Sequence, residues 1–462
     1  MASSSWIWPS QSIATSGSRS EGIGTTTKRT IWDRILWTWK PATEREAGDS
    51  VVRNILLHWF PAKVSRDSLS YSYSFWLGTV SLVLFLLLSL TGMILMFLYV
   101  PSVERAYQSI KDLEYVVSFG SFLRAVHRIS AHLMVAVVFL HMMRVFLTAA
   151  YRNGTAAGQN RPLNWIVGVV LLLCTFLLSF TGYLLPWDQL AYWAITVGTN
   201  IASAAPIVGD KIRFLLLGGN QIEQNTLIRF YVLHCFFLPV LVLFLFSWHM
   251  WRVRKDGGLA CVDRLSLEQK SEKTAPVKVK TYSLLGLTRG RTVQVETALV
   301  DYDRHTVPSS PHLIRRLLVV TLVTVLLVSI LSVLVPTPLE DPANPKVTPN
   351  PAKAPWYFLW LQELVTDTTI HLGSVTINGA LVGGILLPGL LILAAIAWPY
   401  LDRSPVGAVG VWFARARNRQ NLVFLVVVIL ILVLTIVGTF LRGPYWKFYW
   451  PWEAWPAVPK NF

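Results

Sequence analysis

Charge is scarce in this chain. Only 14% of its 462 residues are Asp, Glu, Lys or Arg, against 53% hydrophobic residues. A water-facing surface ordinarily takes about a quarter of a chain as charged residues, so a soluble globular protein is excluded. Acidic residues are the scarcer sign, 25 against 41 basic, for a net charge of +16. Cysteine is nearly absent as well. Cys174, Cys235 and Cys261 form no paired or haem-attachment spacing, which argues against a disulfide scaffold, a resident iron–sulfur cluster and a covalent haem. We read all three as structural. Residues 1–30 lack the apolar segment of a secretory signal and are rich in Ser, Thr and Gly, with Trp6 and Trp8 near the tip. They read equally as a flexible arm or a plain soluble extension. A surface-lying stretch, Ile31–Phe60, should follow, with Trp32, Leu36, Trp37 and Trp39 set among charges.

What the chain has in abundance is long apolar runs. Seven, at 75–100, 124–148, 163–185, 227–252, 316–335, 377–399 and 421–441, approach or exceed the roughly twenty residues that cross a hydrocarbon core. Twenty tryptophans and fifteen tyrosines fit interfacial belts around them. Basic residues gather in the N-terminal arm, after the second run (Arg144, Arg152, Arg161), through 252–316, and between the last two runs (Arg403, Arg415, Arg417, Arg419). Seven spans put these segments on one side, so the positive-inside rule predicts a multi-pass plasma (inner) membrane protein. Its N-terminus is then cytoplasmic and its C-terminus outside. Topology explains the basic charge without nucleic acid, which we do not expect as a partner.

The expected organisation is a cytoplasmic arm and surface helix (1–70), a four-helix domain with short loops (71–258), a cytoplasmic linker (259–312), and a three-helix domain (313–462). Pro276, Pro308 and Pro311 mark the linker.

Four histidines carry the chemistry. His127 and His141 are fourteen residues apart in the second run, and His234 and His249 fifteen apart in the fourth. Each spacing covers about 21–22 Å of helix and returns to nearly the same face. Side by side, the two helices would present four imidazoles in two layers, which suits two b-type haems with bis-histidine ligation and both axial positions filled. Glycines repeat in step. Gly78 and Gly92 lie in the first run, Gly168 and Gly182 in the third, each pair again fourteen apart, inside Leu90-Thr91-Gly92 and Phe180-Thr181-Gly182. They would let a bulky group such as a haem plane approach the backbone, or merely pack helices tightly. Arg124, Arg128, Arg144 and Arg229 stand near the histidines, as haem-propionate partners or as helix-end anchors. His132 is off the shared face and reads as a packed or propionate-side residue.

At these residues the chain resembles cytochrome b of the bc/bf quinol–cytochrome c (or plastocyanin) oxidoreductases. Arg124 to Leu147 looks like the family's second helix, Gly182-Tyr183-Leu184-Leu185-Pro186-Trp187-Asp188-Gln189 like the end of its third, and Thr226 to His234 like the start of its fourth. The fifteen-residue spacing is similar to the split, plastid-type form. Residues 313–455 resemble that form's separate subunit four, so the chain looks like a fusion of the two. The resemblance implies an all-α membrane fold, a four-helix di-haem bundle plus three further transmembrane helices. It implies a proton-translocating oxidoreductase with bifurcated quinol oxidation at an outer site and quinone reduction at an inner one. His127 and His234 would hold the outer haem, His141 and His249 the inner. The implied partners are membrane lipids, a Rieske iron–sulfur protein and a c-type cytochrome or similar acceptor, in a homodimeric complex.

Two departures from the family stand out. Its outer-site Pro-Glu-Trp-Tyr motif corresponds to Ala354-Pro355-Trp356-Tyr357, so proline replaces the carboxylate that would accept a quinol proton. Trp356 and Tyr357 remain as catalytic candidates. Glu363 is a substitute base, or else a water-facing residue of a short surface helix. Such variation resembles relatives that use menaquinol, which we expect here. Trp76 stands where the plastid-type protein carries a cysteine for an extra haem, so no covalent haem is expected there. Arg254 and Lys255 match basic residues of the inner quinone pocket, and His58 is a candidate proton donor or a cytoplasmic anchor. The aromatic tail 443–453 reads as an interfacial belt or a docking surface. Competing readings are a linear di-haem quinone-reducing anchor of a dehydrogenase, and a proton-coupled transporter that would contain no haem.

Overall fold

A computed structural model describes residues 63–154, 159–256, 258–259, 277–280, 292–295 and 306–456. His58, Cys261, residues 1–62 and most of the 259–312 linker lie outside the described residues. Among the described residues, seven helices are long and apolar enough to cross a membrane: α1 (Leu77–Leu98), α3 (Gly120–Leu147), α4 (Arg161–Tyr183), α7 (Gln224–Lys255), α8 (Ser309–Leu334), α10 (Gly379–Leu401) and α11 (Arg415–Leu441). Their outward residues are themselves apolar, with Leu318, Leu322, Leu326, Leu430 and Leu432 all exposed. Such a surface is tolerated only where lipid replaces water.

Shorter helices connect the spans. They are α2 (Ala106–Tyr115), α5 (Gln189–Ser203), α6 (Gly209–Leu217) and α9 (Trp356–Asp367). The connections in the first unit are therefore not all short, since α5 and α6 fill most of the stretch between α4 and α7. Local chemistry sets their starts. The Asp188 carboxylate accepts from the Ala191 amide to cap α5, and Asn160 caps α4 just before Pro162. Glu223 and Thr226 form a reciprocal capping box at α7.

Among the described residues, three two-stranded antiparallel sheets interrupt the helices: β1 (Lys63–Ser65) with β4 (Thr306–Pro308), β2 (Val277–Lys280) with β3 (Thr292–Val295), and β5 (Ile370–Leu372) with β6 (Val375–Ile377). The β1–β4 ladder ties the segment before α1 to the segment before α8, and α8 begins at Ser309, inside the span expected as linker.

Helix α1 packs on α3, α3 on α4, and α4 on α7, while α8 covers α1 and α3 and α10 leans on α4. One core cluster, around Tyr99, Leu184, Trp187, Ile195 and Phe230, lies among α2, α4, α5 and α7. A second, around Phe146, Tyr151 and Trp165, takes in Trp398 and Phe424 from the C-terminal helices.

Helix α7 explains the unequal histidine spacings. Residues Leu233–Phe237 form a π-helical turn, which includes His234. Such a turn absorbs one extra residue. Fifteen residues in α7 then advance the face about as far as fourteen in the α-helical α3.

Candidate functional site

The four histidines meet in two pairs. Ring centroids of His127 and His234 lie 6.2 Å apart at an interplanar angle of 75°, and those of His141 and His249 lie 6.5 Å apart at 76°. An imidazole nitrogen bonds a metal at about 2 Å, which sets two axial rings about 6 Å apart between centres. Among the described residues no cluster of three or more metal-ligating side chains occurs, so each pair would stand as a two-nitrogen donor set. Two imidazoles with no third protein ligand suit a metal whose other positions are filled by a macrocycle.

Hydrogen bonds fix the first pair's tautomers. His234 Nδ1 lies 3.1 Å from the Leu178 carbonyl oxygen and 3.2 Å from Thr181 Oγ1. A carbonyl only accepts, so Nδ1 carries the proton and Nε2 keeps a free lone pair. Thr91 Oγ1 donates to the Leu87 carbonyl and lies 2.8 Å from His127 Nδ1, which gives His127 the same tautomer. This is how a metal-binding imidazole is held by the groups behind it.

Each of the four glycines faces one histidine ring. A Cβ would stand 3.2 Å from His127 Cε1 at Gly92, 3.4 Å from His141 Cε1 at Gly78 and 3.6 Å from His249 Cε1 at Gly168, and would overlap the His234 ring at Gly182. The nearest bulky group is thus the imidazole, which the repeat alone did not identify.

The arginines fare unequally. Arg124 pairs with Glu114 at 2.9 Å and donates to the Thr337 and Pro338 carbonyls, and Arg128 donates to Pro338 at 2.9 Å. Arg229 donates to the Leu215 carbonyl. Arg144 is buried with its guanidinium 4.8 Å above the Tyr73 ring. All four are engaged by the protein itself, Arg124 most fully. Lys255 sits 4.9 Å over the Trp251 ring and is exposed, and Arg254 is half-buried. Their buried neighbour Arg252 instead forms an ion pair with Asp256 at 2.8 Å. Trp76 is buried in a left-handed backbone conformation (φ 53°) at the start of α1.

Trp356 and Tyr357 open α9. Tyr357 is buried, its ring 5.7 Å from His132, and burial pushes its phenol pKa up to about 12. Trp356 Nε1 donates to His132 Nδ1 at 3.1 Å. His132 is therefore packed, as one of its two readings had it, and its neighbours come from α9, 224 positions away in sequence. Glu363 corrects one of the two expectations held for it. It is fully buried rather than water-facing, and Arg442 holds its carboxylate through Nε at 2.9 and 3.1 Å and through a second guanidinium nitrogen. Six residues past Tyr357, it lies about 240° round the helix, against α11 rather than α3.

A second buried polar cluster was not legible in the sequence. Tyr151 donates to Asp402 at 2.5 Å, Arg417 reaches Asp402 at 3.3 Å and Tyr151 at 2.6 Å, and Ser404 donates twice to Asp402. Burial alone would raise the Asp402 pKa, but the bonds from Ser404 and Tyr151 and the Arg417 charge outweigh it and lower it. Arg417 also donates to the Phe146 carbonyl, so the cluster ties α11 to the end of α3.

Comparison with known proteins agrees with this architecture. Residues 62–257 match the family model described as Cytochrome b/b6/petB, and residues 342–450 the one described as Cytochrome b(C-terminal)/b6/petD. Cytochrome b6 of Prochlorococcus marinus strain NATL1A is 42% identical over 181 residues, 39% of this chain and 80% of the relative, and that of strain MIT 9515 gives the same figures. The chain belongs to the cytochrome b/b6 family. Both family regions lie on one polypeptide, consistent with a fusion of cytochrome b6 with the portion that is separate in the split form. The fold alone is also shared with a chain of a "Hyperthermophilic respiratory Complex III", at TM-score 0.62 and 24% identity over 82% of this chain and 86% of that one.

Proposed function

We propose that the chain is the cytochrome b subunit of a proton-translocating quinol:cytochrome c (or similar acceptor) oxidoreductase. It would oxidise quinol with bifurcation at an outer site and pass electrons across the membrane to an inner quinone-reducing site. The observation that carries this reading is the pair of half-buried histidine layers, each ring packed on a glycine, in a chain of this family. His127 with His234, and His141 with His249, would each hold one b-type haem. When bound, the haems would supply one-electron carriers, one at each histidine layer, and the layers are spaced about 21 Å along α3. Thr91 and Thr181 keep the Nε2 lone pairs of the first layer available. Trp356 and Tyr357 line the outer quinol site, with menaquinol as the proposed species because Pro355 stands at the carboxylate position. Arg254 and Lys255 are assigned to the inner quinone pocket. Gly78, Gly92, Gly168 and Gly182 make room for the rings, and Arg124, Arg128, Arg144 and Arg229 supply positive charge beside them. The partners are a Rieske iron–sulfur protein and a c-type cytochrome or similar acceptor, in a homodimeric complex in the plasma membrane with the C-terminus outside.

The deciding experiment supplies quinol to the purified complex, blocks the inner site, adds a pulse of oxidant, and follows b-haem absorbance. A rise in reduced b haem on adding oxidant is the expected result. Absence of that rise, with b haem, Rieske partner and quinol oxidation all verified, makes the chain a linear di-haem quinone subunit instead.

A further inference from the structure

The family's outer-site carboxylate is missing here, and the two residues nearest to replacing it are disqualified. Pro355 has no base. Glu363 faces α11 and is bound by Arg442. The Tyr357 phenol stays protonated at neutral pH, with its pKa raised to about 12. What remains is an imidazole. His132 sits five residues after His127, about 140° round α3 from the haem-facing side. It is half-buried, with Trp356 against it and the Tyr357 ring 5.7 Å away.

The Trp356–His132 hydrogen bond fixes the state of that imidazole. An indole N–H only donates, so His132 Nδ1 presents a lone pair. A neutral imidazole with Nδ1 unprotonated carries its hydrogen on Nε2. A doubly protonated ring has no lone pair left, and the bond to Trp356 cannot form. The groups facing His132 are Arg128 one turn away on α3, and Trp356 and Tyr357 from α9. No acidic side chain among the described residues pairs with it.

The geometry points to His132 as the proton acceptor of the outer quinol site, latched in its unprotonated form by Trp356. This rests on the proposed placement of quinol oxidation at Trp356 and Tyr357. An incoming quinol hydroxyl replaces the indole as donor to Nδ1, one donor for another. The quinol O–H bond then breaks and the Nδ1–H bond forms. The oxygen keeps the bonding electron pair, so the step assigned to His132 ends with the quinol monoanion and a doubly protonated imidazole. A quinone has carbonyls alone and cannot donate to Nδ1, so the unprotonated latch favours the reduced substrate over the oxidised product.

The test uses the whole complex with His132→Asn, whose side-chain oxygen can still accept from Trp356 but takes up no proton near neutral pH. His132→Gln serves as a second variant, and unchanged b-haem spectra verify assembly. Quinol oxidation should fall by about 100-fold or more in kcat/KM, the scale of a lost general base. The acid-side fall of the wild-type pH profile should vanish. Binding of a 5-alkylresorcinol, a dihydroxy ring that cannot form a quinone directly, gives a readout apart from turnover. Its Kd should rise toward acid pH in the wild type and stay flat in the variant. Wild-type rates together with a wild-type acid limb in both profiles would overturn the assignment of His132. A complex whose quinol oxidation is indifferent to replacing both Trp356 and Tyr357 with Ala would overturn the placement of the site instead.

Discussion

At His127 and His234 a threonine one residue before the facing glycine hydrogen-bonds each ring; at His141 and His249 the matching positions are Leu77 and Val167, which have no hydroxyl. The two ends also join the N-terminal and C-terminal portions differently. Near His127, Arg124 and Arg128 donate to the backbone carbonyls of residues 337 and 338, and Gln189 and Trp193 bind the Val347 carbonyl. Near His141, the joint is the buried Asp402–Arg417–Tyr151 cluster. One layer thus has a threonine hydroxyl at each ring, while the other lacks them and lies beside an ionic joint between helices. Two layers built from the same repeat need not behave alike.

The largest expected effect tests whether the layers are independent at all. His141→Ala should remove one of two b haems and leave the other, and His127→Ala should do the converse. Pyridine haemochrome content and low-temperature spectra of each purified variant measure this. Loss of both haems from either single change would show one cooperative unit and end the comparison.

Next comes the ionic joint. Asp402→Asn leaves Arg417 buried without its counter-charge, and breaking such a pair costs about 3–5 kcal/mol. The variant should unfold at markedly lower temperature or denaturant concentration. Since the folded-state pKa of Asp402 is depressed, its contribution is present above the unfolded carboxylate pKa and is lost as pH falls through the folded one. Stability of the wild type should therefore drop on the acid side, and that drop should shrink in Asp402→Asn. Equal acid sensitivity in both proteins would remove Asp402 from the account.

Much of this was legible in the chain because the membrane forces it to be. Seven apolar runs could be read directly, since a span must satisfy its own backbone and offer apolar side chains to lipid. The histidines were readable because fourteen residues return to one face. The π-helical turn at His234 was not, although the fifteen-residue spacing was its trace: one residue too many for α3's register. Helices α5 and α6 escaped because they are short and amphipathic, lying between spans rather than across them. Partnerships distant in sequence escaped altogether. Nothing local to Glu363 announces Arg442, 79 residues away, and nothing local to His132 announces Trp356. The threonines were visible in the Leu90-Thr91-Gly92 and Phe180-Thr181-Gly182 repeat, but only the geometry of the rings shows that they hold Nδ1.

The smallest effect probes that last point. Thr181→Val keeps shape and removes the hydroxyl, leaving His234 Nδ1 with the Leu178 carbonyl alone. Loss of a group that orients a metal-binding histidine typically lowers affinity by about 10- to 100-fold. Haem retention during dilution or competition with apomyoglobin should fall by that factor for the His127–His234 layer only, and the redox midpoint of the same haem should shift. The converse change, Val167→Thr at the matching position, should leave the His141–His249 layer within about 10-fold of wild type, because that layer is built without the bond. If Thr181→Val holds both haems as tightly as the wild type does, ring anchoring is incidental and the two layers differ only in the joints beside them.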